Sequence, residues 1–291
     1  MKKQQRTIVV TGGAGFIGSH LIEVLVKDPL NNVISLDNYF TGTKENHIEG
    51  AEYREGHTKD IETIITETPT LVYHLGEYAR VEKSFEDVAS VWDLNTRGTF
   101  SVLEFCRARN VKLVYAGSST KFGDGGMGRD QSPYAWTKAS NTELVRNYGD
   151  WFGLDYAITY FYNVYGGRER SGAYGTLIAI FKERFSKGLP LLVTAPGTQR
   201  RNFTHVEDIV SGLLLVGERG HGDEYGLGAN ESYSVLEVAE LFGGPIEFLS
   251  ERKGNRMSGA LDVRRARQEL GWETRHNLPD HVAIVRGVSR L

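Results

Sequence analysis

The feature that most narrows the folds open to this chain is a glycine-rich turn set between an apolar run and an amphipathic one. Thr7 to Thr11 has the β-branched composition of a strand, and Phe16 to Lys27 has the spacing of a helix. Between and into them fall Gly12, Gly15 and Gly18, in a G-x-x-G-x-x-G spacing. Glycines there let the backbone turn tightly and approach a pyrophosphate where a Cβ would clash. The helix opening at Phe16 and Ile17 aims free amides and its positive dipole end at the same anion. Alone, such a turn is merely a strand-to-helix connection. Its context makes it a dinucleotide site, because a second strand, Val33 to Leu36, follows and ends at Asp37 and Asn38. A carboxylate at that point accepts hydrogen bonds from the adenosine ribose and repels a 2′-phosphate. NAD is therefore expected; because Lys44 lies a few residues on, NADP is disfavoured rather than excluded.

The alternation continues with a helix over Lys59 to Glu67, a strand over Leu71 to His74, and a long helix over Ser90 to Arg109. A strand over Val111 to Tyr115, a helix over Pro133 to Trp151 and a strand over Tyr156 to Phe161 complete the first half. Repeated strand–helix–strand order predicts an α/β fold, a Rossmann-type doubly wound parallel sheet. The second half predicts a smaller C-terminal α/β substrate-binding lobe, with helices over Leu177 to Ser186, Val206 to Glu218 and Val235 to Leu241, and short strands at Leu191 to Thr194 and Ile246 to Leu249. The expected division is 1–165 for the NAD-binding domain and 166–291 mainly for the substrate lobe. The helix from Val206 and a strand over Tyr225 to Leu227 are candidates to return to the main sheet.

A length of 291 residues suits this plan. The net charge of −3, with no long run of one sign, gives no reason to expect a nucleic acid or an anionic membrane as partner. Cys106 is the single cysteine, so no intrachain disulfide or Cys-rich metal site is possible. No apolar stretch approaches the ~20 residues of a membrane span, and the polar, basic first six residues do not read as a signal peptide. The expected location is the reducing cytoplasm.

A catalytic constellation follows the strand ending at Tyr115. Ser118, Ser119 and Thr120 stand just beyond it, Tyr134 sixteen residues after Ser118, and Lys138 four after Tyr134. Residues four apart share a helix face, so phenol and ammonium converge. A free phenol titrates near pH ~10 and is a poor base at neutrality. A nearby ammonium and an oxidised nicotinamide both favour the phenolate. A hydroxyl such as Ser118, held at the carboxyl end of a strand, is placed to share the substrate proton.

With these motifs in order, the chain resembles the extended short-chain dehydrogenase/reductases of the NAD-dependent epimerase/dehydratase family, UDP-glucose 4-epimerases in particular. The resemblance runs through Thr11 to Gly18, Asp37 and Asn38, Val72 to Leu75, Asn95 to Thr99, Ser118 to Gly123, Tyr134 to Lys138, Tyr160 to Gly166, Gln199 to Asp208 and the Arg252 region. It implies Ser118 as the hydroxyl of a triad with Thr120 adjacent, Tyr134 as the base, and Lys138 as the residue binding the nicotinamide ribose. Leu75, Gly76 and Asn95 are implied near the cofactor. Asn163, Arg201 and Arg252 are implied on the nucleotide diphosphate, where guanidinium groups suit phosphate through paired donors. The helices at 90–109 and 133–151 resemble those that pair two subunits, so a homodimer is expected.

The implied activity is epimerisation of a nucleotide sugar, most simply at C4 of a UDP-sugar through a transient 4-keto sugar. Dehydratases of the family usually carry Asp-Glu directly after the triad hydroxyl; Ser119 and Thr120 stand there instead, and neither does the general acid–base work of a carboxyl group. A nucleotide-sugar 4-dehydrogenase or reductase on the same triad and a non-catalytic NAD-binding regulator are the competing readings. Other departures are a short segment from Gly123 to Tyr134 rich in glycine, His57 where relatives carry an aspartate near adenine, and Gly76, Glu77, Tyr78, Ala79 and Arg80 where small residues are usual. Glu77, Tyr78 and Arg80 either reach cofactor or sugar or form a polar loop. Gly259, seven residues after Arg252, matches a position that limits the sugar's C2 substituent, and a glycine there would leave room for an N-acetyl group.

Overall fold

In the computed structural model, residues 5–122, 128–250 and 261–287 are described. The chain opens with β1 (Arg6–Thr11), α1 (Phe16–Leu25), β2 (Asn31–Asp37), β3 (Ala51–Glu55), α2 (Ile61–Ile64) and β4 (Leu71–His74). It continues through α3 (Val88–Val91), α4 (Gly98–Arg109), β5 (Lys112–Ser118), α5 (Pro133–Phe152), β6 (Tyr156–Phe161), β7 (Val164–Tyr165) and α6 (Leu177–Ser186). The rest is β8 (Leu191–Thr194), β9 (Arg200–Asn202), β10 (Thr204–His205), α7 (Val206–Arg219), β11 (Gly222–Leu227), β12 (Ser232–Ser234), α8 (Val235–Phe242), β13 (Ile246–Leu249), α9 (Arg264–Leu270) and α10 (Leu278–Val285).

Seven strands form one parallel sheet in the order β11-β6-β5-β4-β1-β2-β3. Alternate residues of each strand feed opposite faces, as the strand period of two requires. Ile8 and Val10 of β1 pack with Leu21 and Ile22 of α1 and with Val210 and Leu213 of α7. Val9 between them faces the other layer, with Val102 and Phe105 of α4 and Val145 of α5. Burying both faces is why these strands read as continuous apolar runs. A third core joins Phe181 of α6, Val193 of β8, Val238 and Phe242 of α8 and Val282 of α10, away from the large sheet. The expected doubly wound sheet and the appended α/β lobe are both present.

The edge strand β11, from residues 222–227, lies well past the turn into the second lobe and still pairs with β6. Helix α7 packs against α1, so this part of the chain does return to the sheet. Two expectations are corrected. The helix expected over Lys59 to Glu67 is a single turn, Ile61–Ile64, preceded by a 3₁₀ turn; Ile64, Ile65 and Thr66 are β-branched and Pro69 follows, which disfavours continuation. The helix expected over Ser90 to Arg109 carries a π-helical turn over Trp92–Arg97. Strand β3 was unexpected, because its alternating charged residues mark a sheet edge and not a buried strand. Among the described residues, no helix is long and apolar enough to cross a membrane.

Candidate active site

The strand order reverses between β1 and β4, and a crevice at such a switch point is where open α/β sheets hold ligands. The turns leaving these two strands meet across it. Gly12 has φ +73°, and a Cβ on it would lie 2.8 Å from Gly76 Cα; a Cβ on Gly76 would lie 2.8 Å from Gly12 N. A Cβ on Gly18 would come 2.2 Å from the Gly12 carbonyl oxygen. The cradle is therefore bare backbone at the opening of α1, which suits a pyrophosphate. Gly12, Gly15, Phe16, Ile17, Gly18, Asp37, Asn38, Leu75 and Gly76 all line the cleft. Asp37 accepts from the amides of Ala14 at 2.9 Å and Tyr39 at 2.8 Å. Burial raises its carboxyl above the ordinary range, and those two amides oppose the shift.

On the opposite side, α5 starts abruptly. The Ser132 hydroxyl accepts from the Ala135 amide at 3.1 Å, and Pro133 occupies the first helical position. This fixes Tyr134 in the first turn, where its hydroxyl donates to Ser118 Oγ at 3.2 Å. Ser118 in turn shares a hydrogen bond with Thr120 Oγ1 at 2.8 Å. Lys138, one turn further on, directs its ammonium to the Ala116 carbonyl and the Glu77 carboxylate and lies 4.5 Å from the Tyr115 ring centroid. Ser118, Thr120, Tyr134 and Lys138 thus converge on the cleft wall.

Asn163 also lines the cleft, its amide donating to the Asn202 carbonyl at 3.1 Å. Asn95 and Arg201 do not line it. Asn95 is fully buried behind the wall: its Oδ1 accepts from the Tyr78 amide at 2.7 Å and its Nδ2 donates to Thr137 at 3.0 Å, so it supports the loop after β4. Arg201 sits on β9 and donates to the Arg200 carbonyl. Arg252, Gly259 and the segment 123–127 lie outside the described residues. His57 caps the turn that follows, its Nδ1 accepting from the Lys59 amide at 2.9 Å.

Glu77 was legible only as a loop or cleft residue, and the structure makes it central. Its side chain is 4% exposed and that of Lys138 6%. Its Oε1 accepts from Thr99 Oγ1 at 2.8 Å, Asn141 Nδ2 at 2.9 Å and the Tyr115 hydroxyl at 3.1 Å. Thr99 falls one turn after Asn95, but its partners come from three different elements, and no spacing in the sequence signals them.

The model of the NAD dependent epimerase/dehydratase family matches residues 8–228. A putative UDP-glucose 4-epimerase of Methanocaldococcus jannaschii is 30% identical over 297 residues, with 96% of each chain covered. UDP-glucuronic acid decarboxylase 1 of Xenopus tropicalis is 28% identical over 294 residues, 94% of this chain and 69% of that one. Among solved structures, the UDP-glucose 4-epimerase of Thermus thermophilus in complex with NAD matches with a TM-score of 0.86 at 29% identity, covering 97% of this chain and 98% of the other.

Proposed function

Because the chain belongs to the NAD-dependent epimerase/dehydratase family and is an NAD-dependent enzyme of that class, we propose that it is a nucleotide-sugar epimerase, specifically a UDP-sugar 4-epimerase working through a transient 4-keto sugar. The observation that carries the reading is the Tyr134 hydroxyl, held 3.2 Å from Ser118 Oγ and one turn from Lys138, across the crevice from a glycine cradle. Tyr134 takes the O4 proton as the alcohol becomes a ketone and returns it to the epimeric alcohol. Ser118, backed by Thr120, holds that oxygen and shares the proton. Lys138 supplies the cation that favours the phenolate and is assigned, by resemblance, to the nicotinamide ribose. NAD bound in this cleft would supply the acceptor and later the donor of the C4 hydride, and inversion requires the 4-keto sugar to present its opposite face before that hydride returns. The bare turns at Gly12, Gly18 and Gly76 fit its pyrophosphate and Asp37 its adenosine ribose. The resemblance assigns Asn163, Arg201 and Arg252 to the nucleotide diphosphate; of the described two, Asn163 lines the cleft, whereas Arg201 on β9 does not.

Dehydration would need a free carboxyl group beside the sugar. Among the described residues, the acids lining the cleft are Asp37, at the adenosine end, and Glu77, whose oxygens are taken by four donors. That favours epimerisation. The reading is tested by incubating the protein with UDP-, GDP- and CDP-sugars and following products by proton NMR and NADH absorbance. The expected result is a 4-epimer with no net NADH. Net NADH formation or consumption would point to a dehydrogenase or reductase instead, and an unchanged panel would sink the proposal.

We also propose a homodimer. Trp92 (46% exposed), Phe100 (51%), Trp136 (41%), Trp151 (60%) and Phe152 (53%) lie on the helical stretch 88–109 and on α5. So much aromatic surface on two adjacent helices suits a partner subunit.

A further inference from the structure

A buried carboxylate bonded to the lysine that serves the base calls for an explanation, because it offsets the charge that makes the base work. A chain of hydrogen bonds shows how firmly it is placed. The Gly76 amide donates to Thr11 Oγ1 at 3.0 Å, which leaves that hydroxyl to donate to His74 Nδ1 at 2.7 Å. His74 then carries its proton on Nε2 and donates to Thr99 Oγ1 at 3.0 Å, and Thr99 donates to Glu77 at 2.8 Å. This order of donors is the one that satisfies every member. It starts at the cofactor cradle and ends on Glu77. Asn141 and Tyr115 add donors to the same oxygen, and Lys138 takes the other.

We propose that Glu77 is a positioning residue of the catalytic centre. Its carboxylate clamps the Lys138 ammonium against the Ala116 carbonyl, and by partly offsetting that cation it sets the pH range in which Tyr134 takes protons. The inference rests on Tyr134 being the base. The groups facing this cluster leave few other charges to do the tuning. His74 on β4 is fully buried, and desolvation lowers it to about 4, so it is neutral. Tyr115 on β5 is pushed well above the ordinary phenol by burial and is neutral too. Among the described residues, Arg80, on the loop after β4, is a further cation that acts on Tyr134, and its Nε is tied to the Tyr174 carbonyl at 2.5 Å. Among the described residues, the charges weighed at Tyr134 are therefore Lys138, Arg80 and Glu77. Removing the negative member leaves two cations and favours the phenolate.

The test is a near-ultraviolet titration of tyrosine in the full chain, with the Tyr134 contribution isolated by subtracting the Tyr134→Phe variant. It needs no substrate, so it stands apart from the NMR assay: that assay can fail while this one succeeds, and the reverse. In E77Q the Tyr134 phenolate is expected at lower pH than in wild type, by roughly one unit or tenfold at a fixed pH. E77D, which keeps the charge, is expected to titrate closer to wild type than E77Q does. Once a substrate is in hand, the acid limb of kcat should move with the titration while KM changes little. An unmoved or raised Tyr134 titration in E77Q, or E77D titrating with E77Q, overturns the proposal. If E77Q does not fold, K138M is compared with the double variant E77Q/K138M, in which no charge is left unpaired. The double variant is expected to form phenolate at lower pH than K138M; equal titrations overturn the proposal.

Discussion

Tyr134→Phe removes one oxygen from a half-buried ring. Turnover in the NMR assay is expected to fall by roughly 10²- to 10⁴-fold, the usual contribution of a positioned general base, while the melting temperature stays near that of wild type. Asp37 gives a pH prediction. In the proposed site its ionised form is the one that would accept from ribose, and burial holds its carboxyl above the ordinary range. NAD affinity should thus be full near neutrality and decline on acidification sooner than a surface aspartate would allow. Asp37→Asn should weaken NAD by roughly 10- to 100-fold, as titration calorimetry would show; unchanged affinity would remove Asp37 from the site. These residues were legible because each sits at a fixed offset from a strand end or along one helix face. Glu77 and His74 were not, because what defines them is side-chain partners from distant parts of the chain. Asn95 was placed beside the cofactor by resemblance, and the structure has it one layer behind the wall.

The turn between β1 and α1 and the start of α5 are the two elements on which the site depends. An added methyl group at Gly18 would meet the Gly12 carbonyl at 2.2 Å, backbone that cannot step aside. Gly18→Ala is expected to lower the melting temperature and reduce NAD binding by more than about tenfold; wild-type behaviour in both would mean the turn is not a tight cradle. Ser132→Ala removes the cap of α5 and should cost about 1 kcal/mol in chemical denaturation. Strands and helices with a clear period, such as α6 and β6, were legible to the residue. The π-helical turn at Trp92–Arg97 was not.

At the scale of the whole molecule, two buried histidines contribute to the loss of stability in acid. Burial lowers His74 and His281 to about 4. The unfolded chain binds protons at these sites as pH falls through about 6.5, whereas the folded chain does so only near 4. Folding stability is therefore expected to drop across that window, by roughly 3 kcal/mol for the fully buried His74 alone. Denaturation midpoints measured from pH 7 to pH 4 check this, and a His74→Gln variant should flatten the slope. If the aromatic surface is a subunit interface, Phe100→Asp should convert a dimer to a monomer in sedimentation; an unchanged sedimentation coefficient would place the contact elsewhere. The strand β11 carries a consequence for how the two lobes are joined. The chain leaves the large sheet after β6, forms part of the second lobe, and comes back to lie beside β6 before leaving again. Several crossings of backbone therefore join the lobes, in the manner of a door hung on more than one pin. A single cut at any one of these crossings would leave the two lobes still joined by the others.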